Sequence, residues 1–175
     1  MYIRPARESD AAAIAEIYNQ GILTRNATFE TELRTPAERR QWLRQRGARH
    51  PVLVAVVPVE DGAEDQEQVV GWAAINPYSQ RPCYRGVGEF SLYVHADFRG
   101  RGIGKALLTA LLAAAADLGY WKLLGRVFPT NTASRALCRS CGFREVGVLR
   151  NHARLDGRWV DNVLVERLIP ENIKG

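Results

Sequence analysis

Apolar residues along this 175-residue chain recur in two rhythms. Short β-branched or alternating runs at 1–4, 51–57, 69–76, 87–95 and 121–128 predict strands. Helical spacing marks Ile14, Ile17, Tyr18 and Ile22, on a helix that Ser9 or Asp10 can cap and that Gly21 is expected to loosen or end. Thr35 followed by Pro36 opens a second helix reaching about residue 46, with Gly47 ending it. An Ala/Leu-rich helix spans about 103–118, and Asn131 caps a short one over 132–141. Two last strands, about 144–155 and 158–168, are joined by Asp156-Gly157, a strong hairpin signal. Between elements, 27–30 reads as an extended connector, 60–68 as an acidic surface hairpin loop and 76–82 as a proline-punctuated loop.

The order is β-α-α-β-β-β-α-β-α-β-β, without repeat or linker. It predicts one α+β domain over 1–175: a mixed, mostly antiparallel sheet with helices on both faces. Hydrophobic residues at 46% and charged residues at 25% are ordinary for a soluble globular chain. No apolar run reaches the roughly 18 residues of a membrane span. The N-terminus has no apolar secretory core, so a cytoplasmic location is the default.

A net charge of +5 raises nucleic acid as a partner. The basic residues are dispersed, however, and the six arginines within 34–49 read as the solvated face of an amphipathic helix around Trp42 and Leu43. No nucleic-acid partner is expected. Cys138 and Cys141 form a C-x-x-C, but no second pair and no paired histidines complete a zinc set. They are read as small buried cysteines, and no metal is expected.

Chemistry concentrates at residues 89–105. A strand carrying Glu89 runs into a turn with Gly100, Gly102 and Gly104, and the turn opens the helix from Ile103. The first N–H groups of a helix are unpaired donors at its positive end, and glycines let a ligand approach the backbone. That is an anion site, most naturally for phosphate, with Arg99, Arg101 and Lys105 adding charge. A Walker A loop fits badly, since Ala106 follows Gly104-Lys105. The dinucleotide fingerprint also fails, because its third glycine comes one residue early.

What remains, R-x-x-G-x-G at Arg99, Gly102 and Gly104, resembles the pyrophosphate-binding motif of the GCN5-related N-acetyltransferases. The element order is also that family's. The phrase E-x-S-L-Y-V from Glu89 is similar to the phosphinothricin, methionine sulfoximine and arsinothricin N-acetyltransferase branch. So are Ile17-Tyr-Asn19, Ala27-Thr-Phe-Glu30, Val70-Gly-Trp-Ala73 and Gly157-Arg-Trp-x-Asp161, in the same order.

The resemblance implies acetyl-CoA as co-substrate and the α-amino group of a small amino acid or toxic glutamate-like analogue as acceptor. It implies direct attack in a ternary complex and a homodimer. Glu89 would be the general base, directly or through water. Leu92, Tyr93 and Val94 would hold the cofactor arm by their backbone. Arg99, Gly100, Arg101, Gly102, Ile103, Gly104 and Lys105 would hold the pyrophosphate. Asn131 is both a sufficient helix cap and the family's arm-binding asparagine.

Arg81 could pair with a substrate carboxylate or be a solvated loop arginine. Phe29, Tyr78, Tyr84 and Phe90 could be pocket walls or packing, with Ser91 beside them. Cys138 stands where many relatives have a tyrosine acid, so no general acid is assigned. Rival readings are acetylation of a protein N-terminus or polyamine, and a non-catalytic CoA sensor.

Overall fold

The computed structural model describes residues 1–59 and 66–173. Its elements run β1 (Tyr2–Pro5), α1 (Ala11–Leu23), α2 (Pro36–Arg44), β2 (Val52–Pro58), β3 (Glu67–Pro77), β4 (Val87–Val94), α3 (Ile103–Asp117), β5 (Lys122–Val127), α4 (Thr132–Ser140), β6 (Arg144–Leu155) and β7 (Arg158–Leu168). Most of the expected surface loop lies outside the described residues, and positions 67 and 68 belong to β3. The N–H of Val59 donates to the Gln66 carbonyl at 3.0 Å across the mouth of that hairpin.

The strands form one sheet in the order β1-β2-β3-β4-β5-β7-β6. Every neighbouring pair is antiparallel except β4 and β5. Two apolar layers sandwich the sheet. On one face Leu107, Leu108 and Leu111 of α3 pack with Ile75, Leu123 and Val165. On the other, Ile14 and Ile17 of α1 meet Val54, Val56 and Trp72. Burial of these side chains, at about 1.5–3 kcal/mol each, holds the helices to the sheet.

Local chemistry explains the element ends, with three departures from expectation. Asp10 makes no side-chain cap on α1; a 3-10 turn over Glu8–Asp10 comes first. Its carboxylate accepts the Arg7 N–H at 2.7 Å and the Arg4 guanidinium at 2.8 and 3.0 Å, tying β1 to the entrance of α1. Gly21 neither loosens nor ends α1, which continues to Leu23. A Cβ there would lie 2.9 Å from Cδ1 and Cε1 of Tyr93, so glycine is required by close approach of that ring. Finally, α2 stops at Arg44, two residues early, and Arg46 lies beyond it. Its start is as expected: Thr35 Oγ1 accepts the Glu38 N–H at 3.2 Å and the Glu38 carboxylate accepts the Thr35 N–H at 2.6 Å. At the predicted hairpin, Asp156 and Gly157 have φ of 48° and 79°, as a type I′ turn needs.

Candidate active site

Between β4 and β5 the sheet opens. Their parallel pairing covers only Val87–Lys122, Gly88–Leu123 and Glu89–Leu124. Beyond Glu89, β4 stays paired to β3 up to Val94, while β5 stays paired to β7 up to Val127. The edge of β4 from residue 90 onward therefore faces a gap. At its narrow end Phe90 lies over Gly125, where a Cβ would sit 2.3 Å from Phe90 Cε1. The ring is held from behind by Phe143, 5.1 Å away between centroids.

Strand alternation sorts the β4 side chains. Phe90, Leu92 and Val94 pack toward the α3 side, while Tyr93 joins the cluster under α1 and α2. Glu89 and Ser91 share the Tyr93 face by period. Glu89 thus stands at the apex of the gap, its side chain 26% exposed, with Oε1 accepting from Arg126 Nη1 at 2.6 Å. Ser91 Oγ accepts from Asn76 Nδ2 at 2.9 Å, and Arg46 Nη1 donates to Asn76 Oδ1 at 3.2 Å. Burial pushes the Arg46 guanidinium down to about 10.

At the far end of β4 lies the glycine turn. Gly100 and Gly102 have φ of 74° and 79°, left-handed values that favour glycine. Gly102 is the residue before α3, and the first helical bond runs from the Ala106 N–H to its carbonyl at 3.0 Å. The N–H groups of Ile103, Gly104 and Lys105 are left without helical acceptors. Gly104 keeps Leu137 close: a Cβ would stand 3.1 Å from its Cδ2. Arg99 leans back on the strand, its Nε donating to the Val94 carbonyl at 3.3 Å, and Arg101 stacks over Phe98 at 5.1 Å. Among the described residues none of Arg99, Arg101 and Lys105 is in an ion pair. Free amides, permissive glycines and uncommitted cations fit a pyrophosphate.

One cleft of about 440 Å³ is lined from both faces of the open sheet. It brings together Glu89, Phe90, Ser91, Leu92, Tyr93, Phe29 and Asn131 of the expected site. Val94 and residues 99–105 lie outside its lining, as do Tyr78, Arg81 and Tyr84. The last three form an exposed group of their own. Tyr78 meets Tyr84 edge-on at 5.5 Å, and Arg81 lies over the Tyr84 ring at 5.7 Å.

Asn131 caps α4 by accepting the Ser134 N–H at 3.0 Å, and its Nδ2 donates to the Asn26 carbonyl at 2.9 Å. Cys138 lines the cleft as a buried thiol that burial pushes up to about 12, a poor proton donor at neutral pH. Cys141 is also buried and unbonded to it. Burial likewise raises the Tyr93 phenol. Among the described residues no cluster could hold a metal ion, and no helix is long and apolar enough to cross a membrane.

Sequence reading missed Arg126, Trp72, Asn162 and Arg39, all of which line the cleft. The solvated-face reading of the 34–49 arginines fails at Arg39, which is 8% exposed. Its guanidinium lies 4.2 Å over Tyr18 and 5.1 Å over Trp42. The signal was available, since Arg39 shares a helical stripe with Trp42 and Leu43.

Comparison with known proteins agrees with this geometry. The model of the acetyltransferase (GNAT) family matches residues 16–143. An L-methionine sulfoximine/L-methionine sulfone acetyltransferase of Salmonella typhimurium is 30% identical, covering 98% of this chain and 96% of its own. A GNAT-superfamily phosphinothricin acetyltransferase from Sinorhizobium meliloti, solved in complex with acetyl-CoA, superposes with a TM-score of 0.83 at 31% identity, covering 96% and 88%. A ribosomal-protein-alanine N-acetyltransferase from Brucella melitensis superposes with a TM-score of 0.86 at 35% identity, covering 97% and 100%. Together with the glycine turn and the opened sheet, these matches place the chain in the GNAT family of N-acetyltransferases.

Proposed function

We propose that this enzyme acetylates the α-amino group of a small free amino acid or a glutamate-like analogue, with Glu89 as general base. The observation that carries the reading is the position of Glu89 at the apex of the β4–β5 gap, on the cleft wall. Acetyl-CoA supplies the thioester acyl group. Residues 99–105 bind its pyrophosphate through the free amides at the start of α3 and the three cations. The unpaired edge of β4 at Leu92, Tyr93 and Val94 holds the arm as a neighbouring strand would, and a backbone N–H of that edge polarises the carbonyl. The remaining Nδ2 hydrogen of Asn131 is free to join them.

Glu89 takes the proton of the substrate ammonium at its carboxylate, directly or through one water, and the freed amine attacks the thioester without an acyl-enzyme. Arg126, bonded to Oε1, orients that carboxylate. Phe29 and Ser91 wall the acceptor side, and Phe90 lines the same cleft from the α3 side. Tyr78, Arg81 and Tyr84 could reach an acceptor only if their exposed loop folds toward it or serves a second copy.

A homodimer is part of this reading. Support comes from β6 and β7, where Val146, Val148, Trp159 and Leu168 are exposed on the sheet's terminal hairpin. A cytoplasmic location and a role in detoxification complete the proposal. The test is thiol release from acetyl-CoA across phosphinothricin, arsinothricin, methionine sulfoximine, methionine sulfone, ordinary amino acids, a polyamine and an alanine-initiated peptide. Turnover with free amino acids is expected. Release with the peptide alone would favour a protein N-terminus, the kind of acceptor for which the similar Brucella protein is named.

A further inference from the structure

Four buried side-chain nitrogen or oxygen atoms have no hydrogen-bond partner among the described residues, and three of them belong to cleft residues. They are Arg39 Nε, Trp72 Nε1 and Asn162 Oδ1; the fourth, Arg4 Nε, lies at β1. Leaving one such atom unpaired costs about 1–3 kcal/mol, more for a charged group, so three in one cleft mark a place where water or a bound molecule supplies the missing partners.

Their chemistry is ordered. Two are donors and neighbours: the Arg39 guanidinium lies 5.9 Å from the Trp72 ring. The third is an acceptor on β7, across β4 and β5 from Trp72 on β3.

Arg39 is the unusual member. Tyr18, Trp42 and Trp72 surround its guanidinium, and it makes no ion pair among the described residues. The nearby carboxylates are committed elsewhere. Glu30 bonds Arg34 at 2.6 Å, and Glu38 bonds the cap of α2. Burial, partly offset by Tyr18, holds this guanidinium below its usual range, as expected for a cation lacking an anion. Arginine keeps its charge even so. A fixed, desolvated fork facing a cleft suits a carboxylate, which it can bind with two parallel bonds.

Resting on the reading of the site as an amine acetyltransferase, we propose that Arg39, with the indole N–H of Trp72, receives the free carboxylate of the acceptor. Arg39 is therefore a specificity residue that favours free amino acids over peptide N-termini, in which an amide replaces that carboxylate. This gives the carboxylate to Arg39 and not to Arg81, which lies outside the cleft lining.

The test measures kcat/KM for methionine sulfone, its carboxamide and an alanine-initiated peptide amide. It uses the wild-type enzyme and the Arg39→Gln, Arg39→Lys and Arg40→Gln variants; Arg40 is exposed on α2. The carboxamide has a more acidic amine, so the quantity compared is the change in the acid-to-amide ratio between variants. Arg39→Gln should lower that ratio about 10- to 100-fold, with activity on the carboxamide and affinity for acetyl-CoA nearly unchanged. Arg39→Lys should fall between, and Arg40→Gln should keep the wild-type ratio.

Equal losses on acid and amide, or an unchanged ratio, would overturn the assignment while leaving the acetyltransferase reading intact. If Arg39→Gln does not fold, the Lys variant decides: a lowered ratio supports the proposal and an unchanged one overturns it. A wild-type enzyme that acetylates only the peptide would sink the amino-acid reading and this proposal together.

Discussion

Gly125→Ala tests what keeps β4 and β5 apart. The new methyl carbon would sit 2.3 Å from Cε1 and 2.7 Å from Cζ of Phe90. Comfortable carbon–carbon contact begins near 3.5 Å, so the ring must retreat by about 1 Å. Phe143 stands behind it, which makes retreat an overpacking problem costing about 1–3 kcal/mol. For a chain of this length each kcal/mol lowers Tm by about 2–4 °C, so a loss of about 2–12 °C is expected. Because Phe90 lines the cleft, KM for acetyl-CoA should rise as well.

Differential scanning calorimetry on Gly125→Ala, Phe90→Leu and the double variant measures the coupling. The smaller leucine leaves room for the methyl, so Gly125→Ala should cost much less in the Phe90→Leu background. An undiminished cost there, or a Gly125→Ala protein as stable as wild type, would show that ring and glycine do not define the gap.

Gly102→Val should weaken acetyl-CoA binding at least tenfold, because a β-branched residue resists the φ of 79° that shapes the turn; titration calorimetry reads this, and unchanged affinity would remove the turn from the binding site. Asp10 supplies the pH dependence. Burial acts to raise its carboxyl, but the Arg4 guanidinium and the Arg7 N–H outweigh it and hold the group below its usual range. A depressed folded pKa means stability that is present above the unfolded value of about 3.9 and lost as pH falls through the folded one. Asp10→Asn should therefore be less stable at pH 7, by about 1–3 kcal/mol, with a shallower loss below pH 4 in urea titrations. Parallel pH curves for the two proteins would contradict that linkage.

The sheet was legible because its strands carry local signatures: the β-branched run of β2, the Asp156-Gly157 turn and the Thr35-Pro36 helix start. The glycine turn before α3 was legible for the same reason, since Gly100 and Gly102 adopt backbone angles that single out glycine. What sequence hid was contact between distant segments. Gly21 looked like a helix breaker because the Tyr93 ring that requires it lies 72 positions away. Gly125 gave no sign of holding Phe90. Nothing near Arg126 in the chain points to Glu89, 37 positions away, to which β5 brings it.

Charge misled most at α2. A run of arginines suggests solvent, and only helical phase separates inward Arg39 from outward Arg40. Tyr78, Arg81 and Tyr84 stood open between pocket and solvent or packing. Their place just before the β4 strand allowed either, and the loop carries them to an exposed cluster outside the cleft lining.

The most direct test of the mechanism is the pH–rate profile of Glu89→Gln beside its affinity for acetyl-CoA. A base at the apex of the gap predicts turnover reduced about 10²- to 10⁴-fold at pH 7, partly recovered at high pH where the amine loses its proton unaided, with acetyl-CoA bound as tightly as before. Wild-type turnover in that variant across the pH range would contradict the account.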